Sequence, residues 1–231
     1  MGMAEPRRKP RLADVMEWDI GNWGRALPFW SEELPPSLEG LTTLALGERN
    51  GGLSLYFAAR GSRVHCTDVG GPRPQARALH VRYGLADRIT YADVDATHIA
   101  YADASFDIVA LKSMLGALRT WERQARALAE IHRVLKPGGL LFFAENAVGS
   151  PMHRWLRRRY VEWWDIWRYL TLDDLPRLTR DFRSASWTTY GFLGVLGRTE
   201  RQRKVFHWMD RLALPLVPES SRYIIFCRAR K

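Results

Sequence analysis

The stretch "LTTLALGERNGGLSLYFAARGSRVHCTDV", Leu41 to Val69, decides the fold. Its apolar start reads as a buried strand, "GGLSLYFAARG" as a helix closed by Gly61, and "SRVHCTD" as a second strand that ends in an acid. Strand, glycine turn, helix, strand is the layout that holds a nucleotide at the carboxyl end of a parallel sheet. A dinucleotide turn needs Gly-x-Gly-x-x-Gly, so that a pyrophosphate can reach the helix N-terminus. Counted from Gly47, the middle glycine falls on Arg49, whose side chain obstructs that approach. Taken alone, the loop is equally a cofactor site or a generic glycine-rich turn.

The alternation continues downstream. "RPQARALHVRYG" predicts a helix, "RITYAD" a third strand and "SFDIVALKS" a fourth. "TWERQARALAEIHRVL" predicts a helix with Leu128, Ile131 and Leu135 on one face, stopped by Pro137-Gly138-Gly139, and "GLLFFAEN" a fifth strand. Strands alternating with helices imply right-handed crossovers, hence an α/β, doubly wound, Rossmann-like sheet with helices on both faces. "SWTTYGF" and "SRYIIFCRA" read as closing strands with a helix, "RTERQRKVFHWMDRLA", between them, so the last strand is expected to run antiparallel. "SPMHRWLRRRYVEWWDIWRYLTLDDLPRLTRDF" reads as mostly helical, with Leu156, Tyr160, Trp163 or Trp164, and Trp167 on one face. Before the sheet, "DVMEWDIGNWGRALPFWSEELP" predicts one or two short helices. The expected organisation is therefore a tail and lid helices over residues 1–38, with the first dozen residues a loose basic tail. A single domain follows over 39–231, with a basic, tryptophan-rich insertion at about 151–183.

The 231 residues suffice for one domain with a sizeable core. No apolar run approaches ~18 residues and no signal peptide is visible, so the expected location is cytoplasmic, with peripheral membrane contact as the variant. Cys66 and Cys227 lie in strand-like runs and read as buried thiols, not a disulfide or a metal site. The net charge of +10 is uneven: 17 basic and 8 acidic residues from Pro151 onward, against 18 and 17 before it. Either that half meets something anionic or it is a solvated basic face.

Four features join the loop. Asp68 ends the second strand, "DVDA" follows the third, "DASFDIVALKS" spans the fourth, and "EIHRVLKPGGLLFFAEN" supplies helix, turn and fifth strand. In that order and spacing the chain resembles a class I S-adenosylmethionine-dependent methyltransferase over about residues 40–146. "LALGERNGG", "LKSMLGAL", "AENAVGSPMHRWLRRRY", "WRYLT" and "LGRTERQR" look like a small-molecule branch associated with sugar, polysaccharide or natural-product biosynthesis. Two departures stand out: Ala45 replaces the acid that opens the family's loop, and Arg49 replaces its middle glycine, leaving Glu48 to take part of the acidic role.

The resemblance implies S-adenosylmethionine as cofactor, bound by Gly47, Glu48, Asn50 and Gly51 in the loop, Asp68 on the ribose, Asp95 and Ala96 at the adenine, and Lys112 and Ser113 near the methyl. The acceptor grip is expected after the fifth strand, from Tyr160, Trp164, Trp167, Arg168 and Tyr169. His153 is the preferred base because imidazole titrates near neutrality, and Glu145 is the second candidate. Each also reads blandly, His153 as an exposed first-turn residue and Glu145 as a structural hydrogen-bond partner. In "RWLRRRY" the consecutive Arg157, Arg158 and Arg159 fan around a helix, to grip phosphate or face water. The leading expectation is O-methylation of a sugar or other hydroxylated small molecule, anionic or lipid-linked. The alternatives are a nucleic-acid methyltransferase, disfavoured because no Asn/Asp-Pro-Pro-aromatic tetrad follows the fourth strand, and a non-catalytic binding module.

Overall fold

The computed structural model describes residues 9–162 and 164–231; residues 1–8, which carry most of the expected basic tail, and Trp163 lie outside the described residues. Seven strands form one sheet: β1 Thr42–Leu46, β2 Arg63–Asp68, β3 Ile89–Asp93, β4 Phe106–Lys112, β5 Leu135–Asn146, β6 Ser184–Tyr190 and β7 Ile224–Arg230. Their order is β3-β2-β1-β4-β5-β7-β6. β1 through β5 pair parallel, while β7 runs antiparallel to both β5 and β6. The expected doubly wound sheet with an antiparallel last strand is therefore what forms. Its order reverses between β1 and β4, and ligands in such sheets settle at the carboxyl ends beside that reversal.

Helices α1 Leu12–Met16, α2 Ile20–Trp23, α3 Ala26–Ser31, α4 Gly52–Ala59 and α5 Pro74–Arg82 are followed by α6 Trp121–Val134, α7 Pro151–Tyr160, α8 Asp174–Leu178 and α9 Glu200–Ala213. One face of the sheet packs Phe142 with Trp30, Leu53 and Phe57; the other packs Phe143 with Leu128, Ile131 and Leu178. The N-terminal segment makes three short helices, and Val15, Met16, Trp23 and Trp30 are buried in the first of these cores.

Two expectations change. α6 ends at Val134, and Leu135 already pairs with Phe106, so Pro137-Gly138-Gly139 is an irregularity inside β5 and not the helix stop. The run from Pro151 to Phe182 is not one helical insertion. α7 ends at Tyr160, Val161 is extended, and the chain returns to the sheet, where Val148 N–H donates to Leu170 O and Leu170 N–H to Asn146 O. A helix continued past Tyr160 would carry Leu170 away from that pairing.

Candidate active site

β1 delivers the chain into Gly47, whose φ is +69°, and α4 begins after Gly51 at φ +77°. Gly51 is required twice: by the left-handed backbone, and because a Cβ there would lie 2.6 Å from the His80 ring. That ring is fixed, with Nε2 donating to Gly51 O (2.8 Å) and Nδ1 accepting from Tyr91 Oη (2.8 Å). Glu48, buried, accepts the N–H of Ser54 in the first turn of α4 (2.8 Å), so it caps the helix that Ala45 leaves without an acid. Burial pushes its carboxyl up to about 7, against the pull of that N–H and of Lys112. Arg49 is exposed and does not fill the turn.

A cavity of about 1000 Å³ opens from this turn. Gly47, Glu48, Arg49, Asn50, Lys112 and Ser113 line the side next to the turn. Trp18, Asp19, Trp23, Asn146, Arg157, Trp167, Tyr169 and Tyr223 line the rest. Lys112 is buried; its Nζ donates to Met16 O (3.0 Å), lies 3.6 Å from Glu17 and sits 3.5 Å above the Trp18 ring. It therefore holds the N-terminal segment over the cavity, and burial lowers its pKa. Asn50 Nδ2 donates to Glu17 on the same segment (2.7 Å). Ser113, at φ +52°, accepts from Asn146 Nδ2 (3.0 Å).

Asp68, Asp95 and Ala96 stand beyond the cavity wall, at and after the carboxyl ends of β2 and β3. Asp68 Oδ1 accepts only its neighbour's N–H (2.9 Å), leaving Oδ2 for a diol. Asp95 Oδ1 is held by the N–H and hydroxyl of Thr97, both 2.8 Å, and Ala96 is buried. The donor set fits S-adenosylmethionine: a glycine turn at a helix N-terminus that opens into the cavity, and a half-buried carboxylate just outside it at the end of the next strand.

Several expected site residues sit elsewhere. His153 is fully buried off the cavity: Nδ1 accepts the Ser150 N–H (3.0 Å) and Nε2 donates to Phe192 O (2.8 Å). Both ring nitrogens are engaged, as the third residue of a capping box at the start of α7, so no nitrogen is left to act as base. Glu145 is also fully buried, and its Oε1 accepts the N–H of Met114 and of Leu115 (2.7 Å), fixing the loop after β4. Burial raises it to about 7, and it does not line the cavity. Tyr160 and Trp164 are exposed on the outside, and Arg168 is spent on Gln124 and on Asp174 (2.9 Å). Trp167 and Tyr169 do line the cavity. Gly116 seats Trp167, because a Cβ there would collide with the indole, and Trp167 Nε1 has no partner among the described residues.

Arg157, Asp19, Tyr223 and Arg203 line the cavity as well, and none was among the expected cofactor, acceptor or base residues. Arg157 is buried, its Nη1 and Nη2 donating to Val148 O and Ala147 O, both 2.7 Å, with Tyr169 stacked at 3.8 Å. Among the described residues no carboxylate pairs with it, and burial brings it down to about 10. Asp19 has left-handed φ/ψ of 42° and 51°, is 5% exposed, and accepts from Tyr223 Oη through Oδ2, while its buried Oδ1 has no partner among the described residues. Burial raises its pKa against the Tyr223 hydrogen bond. Tyr223 Oη also accepts from Asn22 Nδ2 (2.7 Å). Arg203 is tied to Glu200 (2.6 Å), whose carboxylate accepts the N–H of Asp19 (2.9 Å). The visible signal for Asp19 was an acid set between Trp18 and Trp23, which helical spacing does not explain.

Residues 44–143 match the methyltransferase domain family. The chain is 30% identical over 205 residues to a demethylmenaquinone methyltransferase of Thermobifida fusca, covering 76% of this chain and 84% of that protein. It is 40% identical over 154 residues to a ubiquinone/menaquinone biosynthesis C-methyltransferase of Paracoccus denitrificans, covering 64% and 59%. Against the corresponding Brucella anthropi enzyme, at 30% identity, it spans about half of that protein's length (52%). The fold is that of Haemonchus contortus phosphoethanolamine N-methyltransferase 2 bound to S-adenosyl-L-methionine, at TM-score 0.64 and 18% identity, covering 95% of this chain and 56% of that one. A Bacillus halodurans methyltransferase structure gives TM-score 0.60 at 17% identity, covering 90% and 98%. The fold and the site thus define a class I methyltransferase architecture. The chain belongs to the S-adenosylmethionine-dependent methyltransferase family.

Proposed function

We propose that the chain moves the methyl group of S-adenosylmethionine to a hydroxyl of a small molecule, a sugar or another hydroxylated metabolite. The observation that carries this is one cavity that runs from the glycine turn to a wall of aromatic side chains and the Asp19 carboxyl group. The cofactor supplies an electrophilic methyl on a sulfonium. The protein's part is to align the acceptor oxygen with it, where most of the acceleration lies. The N-terminus of α4 and the turn at Gly51 receive the cofactor's carboxylate, and Asp68 its ribose hydroxyls. Asp19, not His153 or Glu145, takes the hydroxyl proton: of the three it alone lines the cavity, and burial raises its affinity for a proton. Arg157, a buried cation without a carboxylate partner, supports an acceptor that carries an anionic group.

A second reading is methylation of a ring carbon on a phenolic acceptor. The aromatic wall of Trp18, Trp23, Trp167, Tyr169 and Tyr223 favours it, as do the quinone-pathway names of the relatives. It needs the same proton acceptor. The test is calorimetric titration with S-adenosylmethionine and S-adenosylhomocysteine, then labelled-methyl transfer to hydroxylated sugars and phenols with the methyl position read by NMR. Asp19→Asn is expected to cut transfer by about 10²-fold or more with cofactor affinity kept. A folded protein that binds neither cofactor form would overturn the proposal.

A further inference from the structure

α9 is amphipathic in the inverted sense. Its inner face is polar: Asp210, fully buried, accepts the N–H groups of Phe192, Leu193 and Gly194, and His207 Nδ1 meets Asn22 Oδ1 at 2.7 Å. Its outer face is apolar. Val205, Trp208 (61% exposed), Met209 and Leu212 (65%) recur at the three- and four-residue spacing of one stripe, and Leu216 (88%) extends it in the turn that follows. A surface helix normally turns such a stripe to the core, and among the described residues nothing covers this one. Every exposed charge on α9 is basic, namely Arg201, Lys204 and Arg211, because Glu200 is spent on Arg203 and on the backbone at Asp19.

We infer that the outer face of α9 is a docking surface for an anionic membrane. Large apolar side chains with a tryptophan among them, rimmed by cations on one short helix, match a headgroup layer in both hydrophobicity and charge. A second copy of the chain is the weaker match, since its face would bring the same basic rim against this one. α9 carries Arg203, and the turn it packs against carries Gly194 and Val195; all three line the cavity, so the docked helix is also a wall of the site. The inference stands apart from the methyl-transfer reading. It also gives the expected peripheral membrane contact a place on the molecule, at α9.

The full chain is to be sedimented with vesicles of phosphatidylcholine alone and with about 30 mol% phosphatidylglycerol. Binding to the anionic vesicles that weakens with salt is expected. The Trp208→Ser/Leu212→Ser variant should lose on the order of tenfold or more in partitioning. Lys204→Glu/Arg211→Glu should remove the preference for the anionic vesicles. All four positions are exposed, so circular dichroism and S-adenosylhomocysteine affinity should match wild type, and the latter reports separately on the methyltransferase reading. No binding to anionic vesicles, equal binding by the Trp208/Leu212 variant, or a wild-type dimer that this variant turns into a monomer would each overturn the inference.

Discussion

Replacing His153 by alanine separates a chemical role from a structural one. Three losses follow from its surroundings. The Ser150 N–H and the Phe192 carbonyl, bonded at 3.0 and 2.8 Å, lose their partner, at about 1 kcal/mol each for net hydrogen bonds. The Ser150 bond is itself the His153 half of the capping box at the start of α7, so its cost is already counted. The imidazole also leaves a void between Phe192 and Tyr223, with ring centroids at 5.3 Å from each. The expected loss is roughly 3–4 kcal/mol, which in a chain of this length lowers Tm by about 6–16 °C. His153→Gln, the usual third residue of a capping box, should recover about 1 kcal/mol. Scanning calorimetry measures the shift, and S-adenosylhomocysteine affinity well below the lowered Tm should be unchanged. An unaltered Tm together with abolished methyl transfer would refute this account and return His153 to the chemistry.

Asp68→Ala should weaken S-adenosylhomocysteine binding by about 10- to 100-fold at constant Tm, because the charged acceptor at the end of β2 is lost; equal affinity by calorimetry would show that Asp68 holds no ribose. Gly51→Ala should cost roughly 3 kcal/mol from left-handed strain plus the displaced His80, read as a lower denaturant midpoint, and an unchanged midpoint would contradict the packing at that turn. Glu145→Gln should flatten the pH dependence of stability. Its folded value near 7 lies above the ordinary 4.5 of a glutamate, so its contribution is present below that lower value and is lost as pH rises through about 7. A shift of that size corresponds to roughly 3 kcal/mol, and parallel urea midpoints for variant and wild type between pH 5 and 8 would exclude it.

The first half of the sheet was legible because β1, β2 and β3 each end at a glycine or an acid, and the turns at Gly47 and Gly51 sit where the pattern places them. That spacing also gathered Gly47, Glu48 and Asn50 on one side of the cavity. The opposite side did not follow from spacing, because it depends on long-range geometry. Tyr160, Trp164 and Trp167 share helical spacing, yet pairing of Leu170 with Asn146 and Val148 ends the helix early, sending two outward and one into the cavity. Arg157 looked like one of three equivalent arginines; only the carbonyls of Ala147 and Val148, fixed by that same pairing, draw it inside. Asp19 and Tyr223 are 204 residues apart, and no local pattern joins them.

The segment from Glu17 to Trp23 bounds both halves of the cavity. Asn50 and Lys112 hold its start over the glycine turn, while Glu200, His207 and Tyr223 hold its end against α9 and β7. A partition shared by two compartments makes their occupancies interdependent. Whatever free energy the acceptor spends or gains in moving Trp18 and Asp19, the cofactor must feel in equal measure, by reciprocity of linkage. Affinities for cofactor and acceptor measured one at a time are therefore not the pair that governs turnover; the quantity to determine is the ternary complex, and its departure from the product of the two binary constants measures how stiff that partition is.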